Sequence, residues 1–471
     1  MKKIVNQSYE TTIELANTLQ QPAAATRLRR IRQYFISQEV FATLQPLFLF
    51  TYIYGLTPFR IVKRRNGTSE IRASCFGFCN TAAYVTLYGL CFLNSLLKAE
   101  SVVGYFLRTN ISIAGDTLQI CNGIVTGIVI YTTALTQRCK MQRIIEVFNE
   151  LDLNFANIGV RVKYSRIYRY ALVLIVAKIL IIAIYCAGVY LLLRSAHVKP
   201  SLCVCIAFVL QHSVLFLAIC LFCFIARGFE RRLVILNKVL KKLAHQWDNS
   251  IVKPMPKQRS LQCLDSFSMY TIVTNNPCEI IQESMEIHHM ICDAASTANK
   301  YFTYQLLTII SIAFLIIVFD AYYVLETLLG KSAHESKFKT VEFVTFFSCQ
   351  MILYVIAIIS IVEGSNRAIK KSEKTGGIVH SLLNKAKNAE LKEKLQQFSL
   401  QLLHLKIHFT AAGLFNIDRT LYFTISGALT TYLIILLQFT NSNAPERPFA
   451  PMEENDTMPI RSLVSNLTVA G

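Results

Sequence analysis

The chain has 471 residues, 53% of them hydrophobic and only 16% charged, with a mean hydropathy of +0.41. That balance excludes an ordinary soluble multidomain protein and points to one polytopic membrane domain. The net charge of +19 does not imply a nucleic-acid partner, because Lys and Arg fall in short runs between apolar segments, where membrane topology accounts for them.

The opening stretch, MKKIVNQSYETTIELANTLQQ, lacks the apolar core of a cleavable signal peptide, so insertion is expected to use the first membrane helix itself. Residues 41–59 are apolar but contain Pro46, Gly55 and Pro58, which predicts a re-entrant or interfacial segment rather than a crossing. Crossings are expected at 73–97, 111–136, 170–193, 201–226, 301–328, 342–362 and 420–439. With seven crossings, 36 Lys and Arg fall on the side of the N-terminus and nine on the other, while Lys178, Lys300 and Arg419 sit in or at helix ends. Positive residues stay cytoplasmic, which predicts the N-terminus inside and the C-terminus outside. An eighth crossing by 41–59 would either reverse this bias or export the RLRRIR run at 27–32.

The expected division is therefore a cytoplasmic 1–72, four spans over 73–226, cytoplasmic helical extensions and a loop over 227–300, two spans over 301–362, further extensions over 363–419, a last span over 420–439 and an extracellular tail over 440–471. The fold class is all-α. Within the extensions, Leu233, Leu236 and Leu240 share one face with basic residues opposite, and 279–298 and 380–413 behave alike, which predicts a helical bundle below the bilayer. Pro254, Pro256 and Pro277 mark 247–278 as a loop. Of four Asn-x-Ser/Thr sequons, this topology exposes Asn110, Asn455 and Asn466 to glycosylation and keeps Asn66 bare.

Enzyme motifs are absent, and no cofactor is called for. The 14 cysteines sit mostly in apolar segments, as in Cys220-x-x-Cys223, and read as buried thiols rather than zinc ligands. His288-His289 and His404-x-x-x-His408 lack the rest of a metal site, so they read as solvated or hydrogen-bonded and no metal is expected.

Polar groups inside the spans carry more information, because such residues face protein or a wet cavity. They are Asp116 in the second span, Gln211 and His212 in the fourth, Asp320 with Tyr322 and Tyr323 in the fifth, and Gln350 with Tyr354 in the sixth. Singly each suits an interhelical hydrogen bond; as a set on four helices they predict a pocket for a small organic ligand. Lys178 and Glu363 are assigned to packing and snorkelling. Asp418-Arg419 reads as a structural pair where the last helix enters the membrane. On that helix, Thr424, Gly427, Thr431, Ile434 or Ile435, and Gln438 recur at spacings of three and four. This stripe of small or polar residues suits a packing ridge or a pore wall.

Thr431-Tyr432, five apolar residues and Gln438-Phe439 resemble the signature that closes insect gustatory receptors, as does AAGLFNIDRTLYFTISGA before it. The resemblance extends to FATLQPL at Phe41, YGLTPFR ending at Arg60, GYFLRTN at Gly104, FTYQLL at Phe302 and IVEGSNR at Ile361, and so covers most of the chain. Within the family the chain is most similar to the broadly tuned fruit-fly cluster numbered twenty-eight.

The resemblance implies a seven-helix subunit, four of which form a ligand-gated cation channel in the plasma membrane of sensory neurons. It implies homo- or heterotetramers with other gustatory receptor subunits, a ligand cleft in the outer half of the bundle, and a pore lined by the last helix with Gln438 and Phe439 at its outer constriction. The stripe bears no acid, so cation preference would rest on dipoles and be weak. The subgroup is linked to bitter compounds, ribonucleosides, warmth and light, and Leu433 stands where the family's sugar receptors often carry Glu. Two rival classes have distinct expectations: a G-protein-coupled receptor needs the N-terminus outside, and a secondary transporter needs paired, broken helices in two halves.

Overall fold

The computed structural model describes residues 35–36, 38–63, 69–98, 100–106, 110–160, 162–249, 276–329 and 339–442. The sequons Asn66, Asn455 and Asn466 lie outside the described residues, as does the side chain of Asn110. Most of the 247–278 loop and the tail beyond Ser442 also lie outside them.

Among the described residues, seven helices are long and apolar enough to cross a membrane. They are α2 (Cys75–Lys98), α4 (Asn110–Thr136), α6 (Tyr164–Ser195), α7 (Leu202–Asn249), α8 (Pro277–Leu328), α9 (Thr340–Lys385) and α11 (Thr420–Ser442). A short α3 (Val102–Phe106) joins α2 to α4, and α5 (Arg138–Asn157) joins α4 to α6. The centre is built from α7, α8 and α9, while α6 turns Val173, Val176, Leu180, Ile184 and Leu191 outward. Large apolar side chains exposed in such a continuous row suit lipid tails, not water.

Helices α7, α8 and α9 have 48, 52 and 46 residues. A crossing needs about 20 residues, so each extends far past the bilayer at one end, here termed the basic end. There Leu233, Leu236 and Leu240 of α7, Ile281 and Ile287 of α8, and Val379 and Leu382 of α9 are all buried. Packing of the apolar faces against one another, with α10 (Ala389–His404) added through Leu395 and Phe398, explains why these helices persist outside lipid.

The expected extension over 380–413 is not one helix. After α10 the chain runs extended into a hairpin, β4 (Thr410–Ala411) against β5 (Phe415–Asn416). Its turn places Ala412 and Gly413 at φ of 52° and 75°, a backbone that a helix cannot continue through. Two side chains of α8 hold the hairpin. Asn299 Oδ1 accepts from Thr410 N at 2.9 Å, and Thr303 Oγ1 accepts from Ala412 N at 2.8 Å.

Two other departures from expectation occur at the basic end, beside a segment that keeps to it. Residues 41–53 of the stretch expected not to cross fall in a 16-residue helix, α1 (Gln38–Ile53), with Pro46 inside it, too short to cross and packed mainly against α6. The all-α expectation also missed a three-stranded antiparallel sheet of β1 (Phe35–Ile36), β3 (Ser69–Ala73) and β2 (Phe59–Lys63), in which the buried Phe59 and Ile71 face the core. Finally, α5 occupies residues that charge counting treated only as a loop. It is fixed to α7 by Arg232, whose Nη2 lies 2.7 Å from Asp152 Oδ2 and 3.2 Å from the Phe148 carbonyl.

Candidate functional site

At the end of the bundle opposite the basic end, α2, α3, α4, α7, α8 and α9 enclose a cleft. Asp116 lies in the second turn of α4, near the point where the chain leaves α3. Its carboxylate accepts from Ser101 Oγ, and that same oxygen accepts from Gly104 N at 2.8 Å, which seats α3 over the cleft. One turn along α4, Gln119 also lines the cleft, and its buried Nε2 has no hydrogen-bond partner among the described residues. On the opposite wall, Tyr354 Oη and His212 Nε2 lie 3.3 Å apart, and His212 Nδ1 is 2.8 Å from the Phe208 carbonyl. Gln350 Oε1 accepts from Tyr185 Oη at 3.2 Å. The cleft thus has an aromatic wall of Phe92, Phe208 and Tyr354 and a polar wall of Asp116 and Gln119.

Five of the eight ligand candidates, Asp116, Gln211, His212, Gln350 and Tyr354, line this cleft together. Asp320, Tyr322 and Tyr323 do not. They are buried further along α8, where neither oxygen of Asp320 nor the hydroxyl of Tyr323 has a hydrogen-bond partner among the described residues. Sequence reasoning missed Ser101, Gln119, Phe92 and Phe208. Gln119 was discoverable, being one turn from Asp116 on the same helix, whereas Ser101 sits in a connection that only the packing of α3 brings into place.

The open volume of the cleft is 60 Å³. That holds a few waters, while pockets for small organic ligands are typically about 300–1,000 Å³. A larger groove of 580 Å³ lies at the basic end between α9 and residues 399–418, lined by charges of both signs, among them Glu373, Lys406 and Asp418.

Only 6% of the α11 span is buried. One face, including Leu421, Ile425, Leu429, Leu433 and Leu436, packs on the core, and Tyr432 meets Phe314 with ring centroids 5.9 Å apart. Thr424, Gly427, Thr431, Ile434, Ile435 and Gln438 are all exposed. The stripe is therefore no packing ridge within the subunit. Its hydroxyls bond back to their own helix, Thr431 Oγ1 to the Gly427 carbonyl at 3.0 Å and Thr424 Oγ1 to that of Thr420 at 3.4 Å. Phe439 belongs to α11, but its side chain lies outside the described residues.

Where α11 starts, Asp418 Oδ1 accepts from Thr420 N at 2.8 Å and Thr420 Oγ1 at 2.6 Å, capping the helix. Arg419 does not pair with its neighbour. Its guanidinium grips Glu363 of α9 instead, so Glu363 is an ion-pair partner rather than a snorkelling side chain. Lys178 is buried with its ammonium 4.6 Å from the Tyr54 ring centroid, consistent with packing. His288 is buried beside Gln401 and Cys292, and His408 Nδ1 lies 3.2 Å from the Lys406 carbonyl.

The 7tm chemosensory receptor family profile matches residues 44–443. Gustatory receptor 28b of Drosophila melanogaster is 57% identical over 95% of this chain and 95% of its own length. Gustatory receptor 28a of the same fly is 35% identical, over 86% of this chain and 92% of its own. Among solved structures, the olfactory receptor OR5 of Machilis hrabei in complex with eugenol superposes with a TM-score of 0.55 at 13% identity, over 84% of this chain and 97% of that one.

Proposed function

The chain belongs to the insect gustatory receptors of the 7tm chemosensory family, and from that premise we propose that it is a ligand-gated, weakly selective cation channel in the plasma membrane of sensory neurons. Four subunits, identical or mixed with other gustatory receptors, place α11 around a central pore. The N-terminus and the basic end face the cytoplasm, in keeping with the 36-to-nine division of Lys and Arg.

The observation that carries the reading is the outward-facing stripe on α11. The Gln438 amide would be poorly placed against lipid tails, and a four-fold axis gives it water and its own copies instead. Leu421, Ile425, Leu429, Leu433 and Leu436 of the same helix pack on their own subunit, and the stripe lies among the residues that face away from it.

The cleft takes a small molecule with an aromatic or apolar body and a few polar groups, the class to which the eugenol held by the Machilis receptor belongs. Bitter compounds and nucleosides fit that description. With 60 Å³ of open space, the cleft has to widen to take such a molecule. Ligand favours the wider form by its differential affinity, and the shift passes down α8 and α9 to the start of α11. Expression in cells without other gustatory receptors, with current recording against a mixed panel of bitter compounds, ribonucleosides and eugenol, tests the reading. Ligand-evoked cation current that needs no G protein is expected, and currents abolished by G-protein blockade would contradict it.

A further inference from the structure

We propose that Cys75 and Cys79 of α2 and Cys139 of α5 are S-acylated with long-chain fatty acids at the cytoplasmic edge of the bilayer, a placement that rests on the orientation proposed above. Contrary to the expectation of buried thiols, all three are exposed. Cys75 and Cys79 stand one turn apart at the start of α2, on one side of the helix. Cys139 lies between Arg138 and Lys140, where α4 gives way to α5. The guanidinium carbon of Arg138 sits 5.0 Å from the Phe78 ring centroid, so the turns that carry the three thiols are neighbours.

Their depth follows from helix length. The 24 residues of α2 rise about 36 Å, against a hydrocarbon core of about 30 Å, so its ends, Cys75 among them, reach the headgroups. The side chains around that end agree. Tyr52 stacks on Phe76 with ring centroids 6.3 Å apart, and the Arg60 guanidinium carbon lies 5.8 Å from the Tyr52 centroid. Aromatic rings topped by a cation suit the boundary between hydrocarbon and water. From Cys79 the exposed face continues through Ala83, Leu87 and Leu90, so an acyl chain on this turn enters lipid along the helix. Asn80 Nδ2 donates to the Tyr52 and Ile53 carbonyls at 2.8 and 2.7 Å, which ties α1 to the same anchor. Cys121 and Cys349 are also exposed, but they lie well inside the spans of α4 and α9, away from a water-borne acyl donor.

The chemistry is thioester exchange with a long-chain acyl-coenzyme A. The cysteine sulfur attacks the acyl carbonyl carbon, its new C–S bond replaces the one to coenzyme A, and the thiol proton ends on the coenzyme A sulfur that leaves. No electrons change hands. Several chains beside Arg60, Arg138 and Lys140 combine lipid anchoring with attraction to anionic headgroups.

The test uses the full-length receptor, tagged at Met1 and expressed in cultured insect cells fed an alkynyl palmitate. The expected result is label on the receptor that neutral hydroxylamine removes. Label should fall to background when Cys75→Ser, Cys79→Ser and Cys139→Ser are combined, and persist when Cys121→Ser and Cys349→Ser are combined. Undiminished label in the triple variant would overturn the proposal. Peptide mapping of the parent needs no variant to fold: acyl mass on these cysteines supports the proposal, and free thiols at all three overturn it. The tag separates the two readings. Absent label with Met1 stained only after permeabilisation overturns acylation alone, whereas absent label with Met1 stained on intact cells overturns it together with the orientation.

Discussion

Arg419, at the entry to α11, holds Glu363 of α9 in a two-pronged ion pair, with Nε 2.9 Å from Oε1 and Nη2 3.1 Å from Oε2. The fork geometry fixes direction as well as distance, so a rotation of α9 would be felt at the first turn of α11. The α8 clasp on the β4–β5 hairpin, through Asn299 and Thr303, ties a second cleft-forming helix to the same point.

If that pair couples cleft to pore, Glu363→Gln and Arg419→Gln should each alter basal current or agonist sensitivity while leaving surface expression near the parent level. The double variant should resemble either single one, because both remove the same contact. Additive effects in current recordings would show that the two residues act separately.

The cleft wall gives a ranked pair of outcomes. Asp116→Asn should shift the agonist dose-response roughly ten-fold or more, the cost of about 1.4 kcal/mol in a polar contact, with single-channel conductance unchanged. Asp320→Asn should shift it less, because Asp320 is buried behind the cleft rather than on its wall. A change of conductance in either variant would place that residue in the permeation path.

Breaking one side of the Arg232–Asp152 pair should damage folding, since the Arg232 side chain is 3% exposed and Asp152 10%. Losing one partner of such a pair strands the other charge, at a typical cost of about 3–5 kcal/mol. Asp152→Ala should therefore lower both the melting temperature in detergent and the surface level, without a selective effect on ligand response.

Much of this architecture was legible because lipid imposes long charge-free runs on helices that cross it. The seven apolar helices needed only that fact. Five cleft residues were legible as polar groups that hydrocarbon would not accept. What the sequence concealed was set by tertiary packing. The Arg419–Glu363 pair joins residues on separate helices, and α3 closes over Asp116 through a serine in a short connection. The hairpin after α10 hides behind an amphipathic pattern that ran on past the helix end. Asp320, Tyr322 and Tyr323 carried the same polar signal as the cleft residues, and only packing separates them from it.

Glu146 of α5 supplies a pH dependence. Burial is the main cause raising its carboxyl to about 7, with Arg143 opposing and Glu150 adding to the rise. A folded pKa above the unfolded one means that the native state holds the proton more tightly. Stability is then greatest below about 4.5, falls as pH rises from there to about 7, and is flat above. Melting curves across that range should show the slope in the parent and a smaller one in Glu146→Gln.

The outward stripe on α11 is tested most directly by single cysteine substitutions probed with a charged, membrane-impermeant thiosulfonate during current recording. Thr424→Cys, Thr431→Cys and Gln438→Cys should each become sensitive to block while ligand is present, with Gln438→Cys also changing unitary conductance. Leu429→Cys and Leu433→Cys, on the face packed against the core, should not respond. Block at Leu429 and Leu433 but not at the stripe positions would contradict the pore and turn the stripe into an interface between subunits.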